Sequence, residues 1–250
     1  MRTTAAAMAS VSDTGCVRAR NEDRLLATEH LFMVADGMGG HALGDVAAQC
    51  AVTAIDEALA DLESATDTGE EQTIITLALM NAADAITRHV DGTLRTASAC
   101  DGGTSAGTTV AGVFLGIDPL VFHVGDSRVY RYHGGNLTRL TRDHSLVQEM
   151  VDAGELTDEQ AHLHPRKNII TRAVGTYGPP RVTFARPQLA AGDYVLACTD
   201  GLHDELTDEE MTEILRHASD VDEAVRLLRD AVLAAGGRDN VTIVLAQIGH

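Results

Sequence analysis

The stretch that most constrains this chain is Leu31-Phe32-Met33-Val34-Ala35-Asp36-Gly37-Met38-Gly39-Gly40, an apolar strand that ends in a carboxylate and a glycine-rich turn. Upstream, Arg24 to Thr28 reads as a second short strand, with Thr28-Glu29-His30 as the bend between them. The pair forms a hairpin. With the bend centred on Glu29 and His30, antiparallel pairing sets Asp23 opposite Asp36 at the open end, because both lie equally far from the turn. Directly opposed carboxylates repel, so a chain that keeps them commits them to a cation or a shared proton. Glu22 adds a third acid beside them. A lone Asp-Gly more often marks a plain tight turn, and here that simpler view weakens because the device recurs.

Tyr194 to Thr199 is another apolar strand that runs straight into Asp200-Gly201, and Gly236-Gly237-Arg238-Asp239-Asn240 immediately precedes the strand Val241 to Ile248. If those strands are antiparallel neighbours, the exit of one meets the entrance of the other, and Asp200 lies beside Asp239. Leu120 to Val124 likewise leads into Gly125-Asp126-Ser127-Arg128. Several acids at strand ends, each next to a glycine or tight turn, suggest one oxygen-rich metal centre. No His or Cys stands in ligand-like spacing beside them, which directs the expectation to magnesium or manganese rather than zinc.

Arg18-Ala19-Arg20-Asn21-Glu22-Asp23, Val34-Ala35-Asp36-Gly37-Met38-Gly39-Gly40-His41, Val124-Gly125-Asp126-Ser127-Arg128, Thr199-Asp200-Gly201-Leu202 and Arg238-Asp239-Asn240-Val241-Thr242 resemble, in order and spacing, the motifs of the PPM/PP2C metal-dependent protein serine/threonine phosphatases in their bacterial form. The resemblance implies hydrolysis of phosphoserine and phosphothreonine monoesters at a centre of two or three Mn²⁺ or Mg²⁺ ions, where a metal-bridging water attacks phosphorus. It implies that Asp36 bridges both metals, that the Gly37 carbonyl ligates one, and that Asp200 and Asp239 complete the protein ligands. Asp23 and Glu22 would hold metal-bound waters, Asp126 would join Asp200 at a third metal, and Arg18 would bind the phosphoryl group. The implied partners are phosphorylated proteins, a serine/threonine kinase among them, with the enzyme itself a monomer. Met38 stands where many eukaryotic members place a proposed general-acid histidine. His41 and His144 are the remaining proton-donor candidates.

A formal net charge of −18 argues against general nucleic-acid or anionic-membrane binding, which needs a basic face. The four cysteines are scattered without a C-x-x-C pair, and none has Arg six positions later, so the cysteine-nucleophile phosphatase signature is missing. A Walker-type glycine loop is missing too. Neither a signal peptide nor a stretch near the roughly 20 apolar residues of a membrane span is present, which sets the expectation of a cytoplasmic enzyme. Two rival functions share these residues: a non-catalytic phosphoprotein-binding module and a metal-dependent hydrolase of small phosphate esters.

Helical periodicity predicts one helix over about 43–62, an exposed acidic loop over 61–71, and a second helix carrying Ile74 to His89. Ala97 to Gly107 reads as a flexible link. Strands near 108–117, 120–125 and 128–133 are expected as a meander, and those near 182–187 and 193–199 as a hairpin about Ala191-Gly192-Asp193. Between them, about 141–178 resembles the family's flap, with two short helices and the basic residues Arg166, Lys167 and Arg172, whose expected roles divide between phosphopeptide binding and structural pairing. Thr207 with Glu210 forms a capping box, and Val221 to Ala235 is a last helix stopped by Gly236-Gly237. The expected fold is α+β, a four-layer α-β-β-α sandwich of two antiparallel sheets flanked by helices, as a single domain over 8–250 after a short tail, 1–7.

Overall fold

Strand β3 (Leu31–Gly39) is buried on both faces along its apolar half, which is why its sequence runs apolar without alternation. The computed structural model, which describes residues 3–39, 43–96, 106–176 and 178–249, sets β3 inside a six-stranded sheet. The order there is β2 (Asp23–Ala27), β3, β5 (Val110–Leu115), β6 (Pro119–Val124) and β9 (Thr183–Ala185), with β4 (Ala106–Thr108) paired to the far end of β3. A five-stranded sheet faces it, in the order β1 (Ala5–Asp13), β11 (Val241–Ile248), β10 (Tyr194–Cys198), β7 (Arg128–His133) and β8 (Asn136–Arg139).

Phe32, Val34, Val113 and Val121 from one sheet meet Val129, Val195 and Val244 from the other, forming the central layer. The opposite face of β3, carrying Leu31, Met33 and Ala35, packs under α1 (Gly44–Glu57) and α3 (Thr68–Thr96) through Ala47, Ala51, Ile55, Ile75 and Leu79. On the other side, Leu196, Ile243 and Leu245 are covered by Leu202, by Met211 of α7 (Asp208–His217) and by Leu228 and Val232 of α8 (Val221–Ala235). The four-layer α-β-β-α sandwich expected from the sequence is the fold observed. No helix among the described residues is long and apolar enough to cross a membrane.

Several local expectations are corrected. The strands after residue 108 are not a meander: β6 belongs to one sheet and β7 to the other. Gly125, at φ +104° and with Thr109 where a Cβ would sit, carries the chain across. The predicted 182–199 hairpin is absent as well. β9 pairs with β6 while β10 pairs with β7 and β11, because Arg186 is drawn to the Thr68 carbonyl and to Glu71, and Asp193 is held by Arg131, His133 and the Ala190 amide.

The single early helix divides at Ala58 into α1 and α2 (Leu59–Ser64). Most of the acidic loop is helical: Asp67 accepts from the Gly69 and Glu70 amides to start α3, and Glu71 is fully buried against the Ile117 amide and Arg186. Residues 5–7, expected as tail, form the first rungs of β1 against β11. β3 continues past Asp36 to Gly39 by pairing with β4 instead of ending at the carboxylate. In the flap, α4 (Leu146–Asp152) and α5 (Asp158–His162) are the two short helices the sequence indicates. The link expected over Ala97 to Gly107 lies outside the described residues as far as 105, as do Gly40, His41 and Cys100.

Candidate active site

The β2–β3 bend is closed by the Thr28 amide donating to the Leu31 carbonyl at 2.8 Å and the Leu31 amide to the Thr28 hydroxyl at 3.0 Å. That closure fixes the register, and Asp23 stands opposite Asp36. Across the sandwich, β10 and β11 pair antiparallel, with the Thr199 amide donating to the Thr242 carbonyl at 3.1 Å. Asp200 therefore leaves β10 where Asp239 and Asn240 enter β11. Gly201 is required there, since a Cβ would collide with the Asn240 carbonyl. Asp126 follows the Gly125 corner at the same end of the molecule.

Arg18, Glu22, Asp36, Gly37, Asp126, Asp200 and Asp239 all line one cleft of about 520 Å³. Asp23 is not in its wall. It is buried at 3% exposure behind Asp36, accepting from the Thr199 hydroxyl at 2.8 Å, and that hydroxyl in turn accepts from the Thr242 amide at 3.0 Å. Gly37 and Gly44 touch backbone to backbone. A Cβ on Gly37 would strike the Gly44 carbonyl, and one on Gly44 would strike the Glu22 carboxylate and the Gly37 carbonyl. Glu22 and the Gly37 carbonyl thus converge at the start of α1.

Burial, then Asp200, Asp23, Asp126 and Asp239, hold the Asp36 carboxyl well above its usual range. Asp200 is pushed well up by burial and by Asp126, Asp204, Asp239 and Asp23. Asp126 rises to about 7 through burial and the charge of Asp143, and Asp23 to about 6 through burial, against the lowering hydrogen bonds of Thr199 and Thr242. Glu22 is raised by burial and by Asp45. The cation in contact is Arg18, whose guanidinium lies 2.6 Å from Asp239, with both side chains more than a third exposed. An ion pair so exposed contributes at most about 1 kcal/mol, so Arg18 is free to exchange Asp239 for another anion.

Among the described residues no three His, Cys, Asp or Glu side chains close on one point as a finished metal cage. The carboxylates instead ring the cleft, the spacing that mutually repelling charges adopt, and one backbone carbonyl completes the set. Donor chemistry and charge weigh more than the open spacing. Every candidate ligand is a hard oxygen, and buried like charges that outnumber the two arginines of the cleft, Arg18 and Arg20, call for positive charge from outside the chain. The residues fit divalent Mn²⁺ or Mg²⁺.

Three contributors were not singled out by sequence: Thr199, Thr109 and Asn240. Thr109 accepts from the Asp36 amide at 3.1 Å. Asn240 accepts from the Glu22 amide and donates to the Thr14 and Arg20 carbonyls, fastening the Arg18 loop to β11. Adjacency to Asp200 and Asp239 was the available signal for Thr199 and Asn240.

His144 is not a proton donor for this cleft. Its Nδ1 accepts from the Gly125 amide at 3.1 Å, its Nε2 meets the Thr183 hydroxyl at 2.9 Å, and its ring stacks on His123. Burial, then His123 and Arg172, lower its pKa to about 3, so it stays neutral and supports the Asp126 corner. Arg172 lies 3.2 Å from that imidazole, and Lys167 pairs with Asp204 at 2.8 Å, so two of the three basic flap residues are structurally engaged. Burial likewise holds His203 well below its usual value.

Residues 18–236 match the family model described as Protein phosphatase 2C. Over 240 residues the chain is 38% identical to the serine/threonine protein phosphatase PstP of Mycobacterium tuberculosis, covering 96% of this chain and 44% of that protein. The chain thus spans less than half the length of that relative. It is 34% identical over 242 residues to the serine/threonine phosphatase stp of Listeria monocytogenes, covering 94% of this chain and 93% of the relative. A solved structure of the catalytic domain of PstP in complex with two manganese ions superposes with a TM-score of 0.79 at 33% identity, over the full length of both chains.

Proposed function

The chain belongs to the protein phosphatase 2C family, and from that premise we propose that it hydrolyses phosphoserine and phosphothreonine monoesters in proteins at a binuclear Mn²⁺ or Mg²⁺ centre. The observation that carries the reading is the arrival of Asp36, Asp200, Asp239 and Asp126, from both sheets, in the wall of one cleft with Arg18 at its rim. Asp36, the Gly37 carbonyl, Asp200 and Asp239 would hold the two cations. Asp126 with Asp200 would take a third, and Glu22 and Asp23 would orient the surrounding water. When bound, the cations supply an acidified water as nucleophile and positive charge against the phosphoryl oxygens.

The chain's own part is positioning. Arg18, released from Asp239, clamps two phosphoryl oxygens and offsets the charge that spreads over them as the in-line displacement proceeds. Thr109 holds the backbone of Asp36, Thr199 holds the carboxylate of Asp23, and Asn240 holds the loop that presents Arg18 and Glu22. No imidazole of the described residues lines the cleft.

The partners in this reading are phosphorylated proteins, a serine/threonine kinase among them, met by a monomer. The free thiols of Cys16, Cys50 and Cys198 support a reducing, cytoplasmic setting. The test is steady-state hydrolysis of p-nitrophenyl phosphate and of a phosphothreonine peptide, with and without Mn²⁺, for the wild type and Asp200→Asn. Mn²⁺-dependent turnover of both substrates, lost in a folded Asp200→Asn, is the expected result. Turnover of the small ester alone would point to a small-molecule hydrolase, and turnover of neither to a binding module.

A further inference from the structure

On the other side of Asp126 and Asp200 lies a second, more enclosed cavity of about 350 Å³, bounded by the flap helices, α6 (Asp200–His203) and the start of α7. Its charges do not balance. The two arginines and the lysine in its wall are already engaged: Arg128 and Arg139 with Asp143 at 2.6 and 3.7 Å, and Lys167 with Asp204 at 2.8 Å. Asp158 and Asp208, the first residues of α5 and α7, line the same space and have no ion pair among the described residues.

An independent observation comes from His203, which lines this cavity and is 6% exposed. Its Nε2 lies 3.2 Å from the Asp126 carbonyl oxygen and must carry the ring proton to donate there, which makes Nδ1 an acceptor. That Nδ1 is buried without a hydrogen-bond partner. The nearest carboxylate oxygen, on Asp204, is 3.8 Å away and is itself an acceptor. A buried acceptor left in this state costs about 1–3 kcal/mol, and its residue stands in the cavity wall beside the unpaired acids. Val147, Val151 and Ala161 supply an apolar stretch of wall beside the acids. A cationic head with N–H donors on an aliphatic stem is the complement of that lining.

Resting on the phosphatase reading, we infer that this cavity receives the arginine or lysine side chain of a residue flanking the phosphorylated one, so that phosphoproteins with a basic neighbour are the favoured substrates. The cavity shares Asp126 and Asp200 with the cleft, which places the basic side chain within a short peptide's reach of the phosphoryl group.

The test is a set of phosphothreonine peptides of equal length carrying Arg, or Ala as reference, at each flanking position in turn, assayed by kcat/KM with Mn²⁺. The expected result is at least one position where Arg exceeds Ala by roughly ten-fold, mainly through KM, the size of one charge-assisted contact. In the double variant Asp158→Asn with Asp208→Asn that ratio falls to about one. The pair Asp56→Asn with Asp61→Asn, on the opposite helical layer, leaves it in place, which separates the cavity from the general acidic field. A ratio below two at every position overturns the inference, as does a preference that survives loss of Asp158 and Asp208. If p-nitrophenyl phosphate and every peptide go unhydrolysed, the phosphatase reading beneath it fails instead.

Discussion

Replacing Asp126 by Asn isolates the electrostatic load of the cleft. Burial and Asp143 raise the Asp126 carboxyl from its usual 3.8 to about 7 in the folded chain. A group whose folded pKa lies above its unfolded one favours folding below the unfolded value and loses that contribution as pH rises through the folded value. Three pKa units correspond to about 4 kcal/mol, reached above pH 7. In the presence of a chelator the Asn variant is therefore more stable than the wild type, by up to about 4 kcal/mol near pH 8. For a chain of this length that is roughly 10 °C in Tm. By the same relation the gap narrows to about 2 kcal/mol near pH 5. Urea unfolding followed by far-ultraviolet circular dichroism across that range measures it. With saturating Mn²⁺ the wild type gains more than the variant, because cations relieve in the wild type what the variant no longer carries. A variant less stable than wild type near pH 8 in chelator, or a difference that does not grow with pH, would refute the reasoning.

Arg18→Ala removes the guanidinium proposed to bind the phosphoryl group. KM for p-nitrophenyl phosphate then rises roughly ten-fold or more with the fold intact, and an unchanged KM would confine Arg18 to its contact with Asp239. Thr199→Val deprives Asp23 of a donor and the Thr242 amide of an acceptor, both buried, and lowers unfolding free energy by about 1–3 kcal/mol in a urea titration; a loss below about 0.5 kcal/mol would mean water replaces the hydroxyl. Arg186→Met leaves the fully buried Glu71 with the Ile117 amide and no cation, at a cost of about 3 kcal/mol in a urea titration, and a neutral result would show that the pair adds nothing net to stability.

The parts of the site legible in the sequence were those set by counting. Asp23 and Asp36 sit at equal distances from one bend, so a hairpin brings them together whatever the rest of the chain does. Asp200 and Asp239 end and begin adjacent strands, so their meeting needed one correct pairing. What failed were choices between sheets. Whether β7 joins β6, or β10 joins β9, is decided by the backbone of Gly125 and by anchors such as Arg186 on Glu71 and Asp193 on Arg131, which lie far apart in sequence. The acidic stretch misled for a related reason: its composition reads as solvated, yet Glu71 is buried because its partners arrive from residues 117 and 186. Side-chain roles at the second remove, as for Asn240 and Thr109, depend on hydrogen-bond geometry that spacing does not encode.

The Thr199 hydroxyl joins strand ends from both sheets, holding Asp23 of one while accepting the Thr242 amide of the other. The reaction centre is thus a seam, assembled from halves that each belong to a different slab of the molecule. A slippage of one slab past the other, too slight to disturb either set of helices, is enough to take the seam apart. Along a denaturant gradient, turnover should accordingly vanish while the circular dichroism spectrum still looks native.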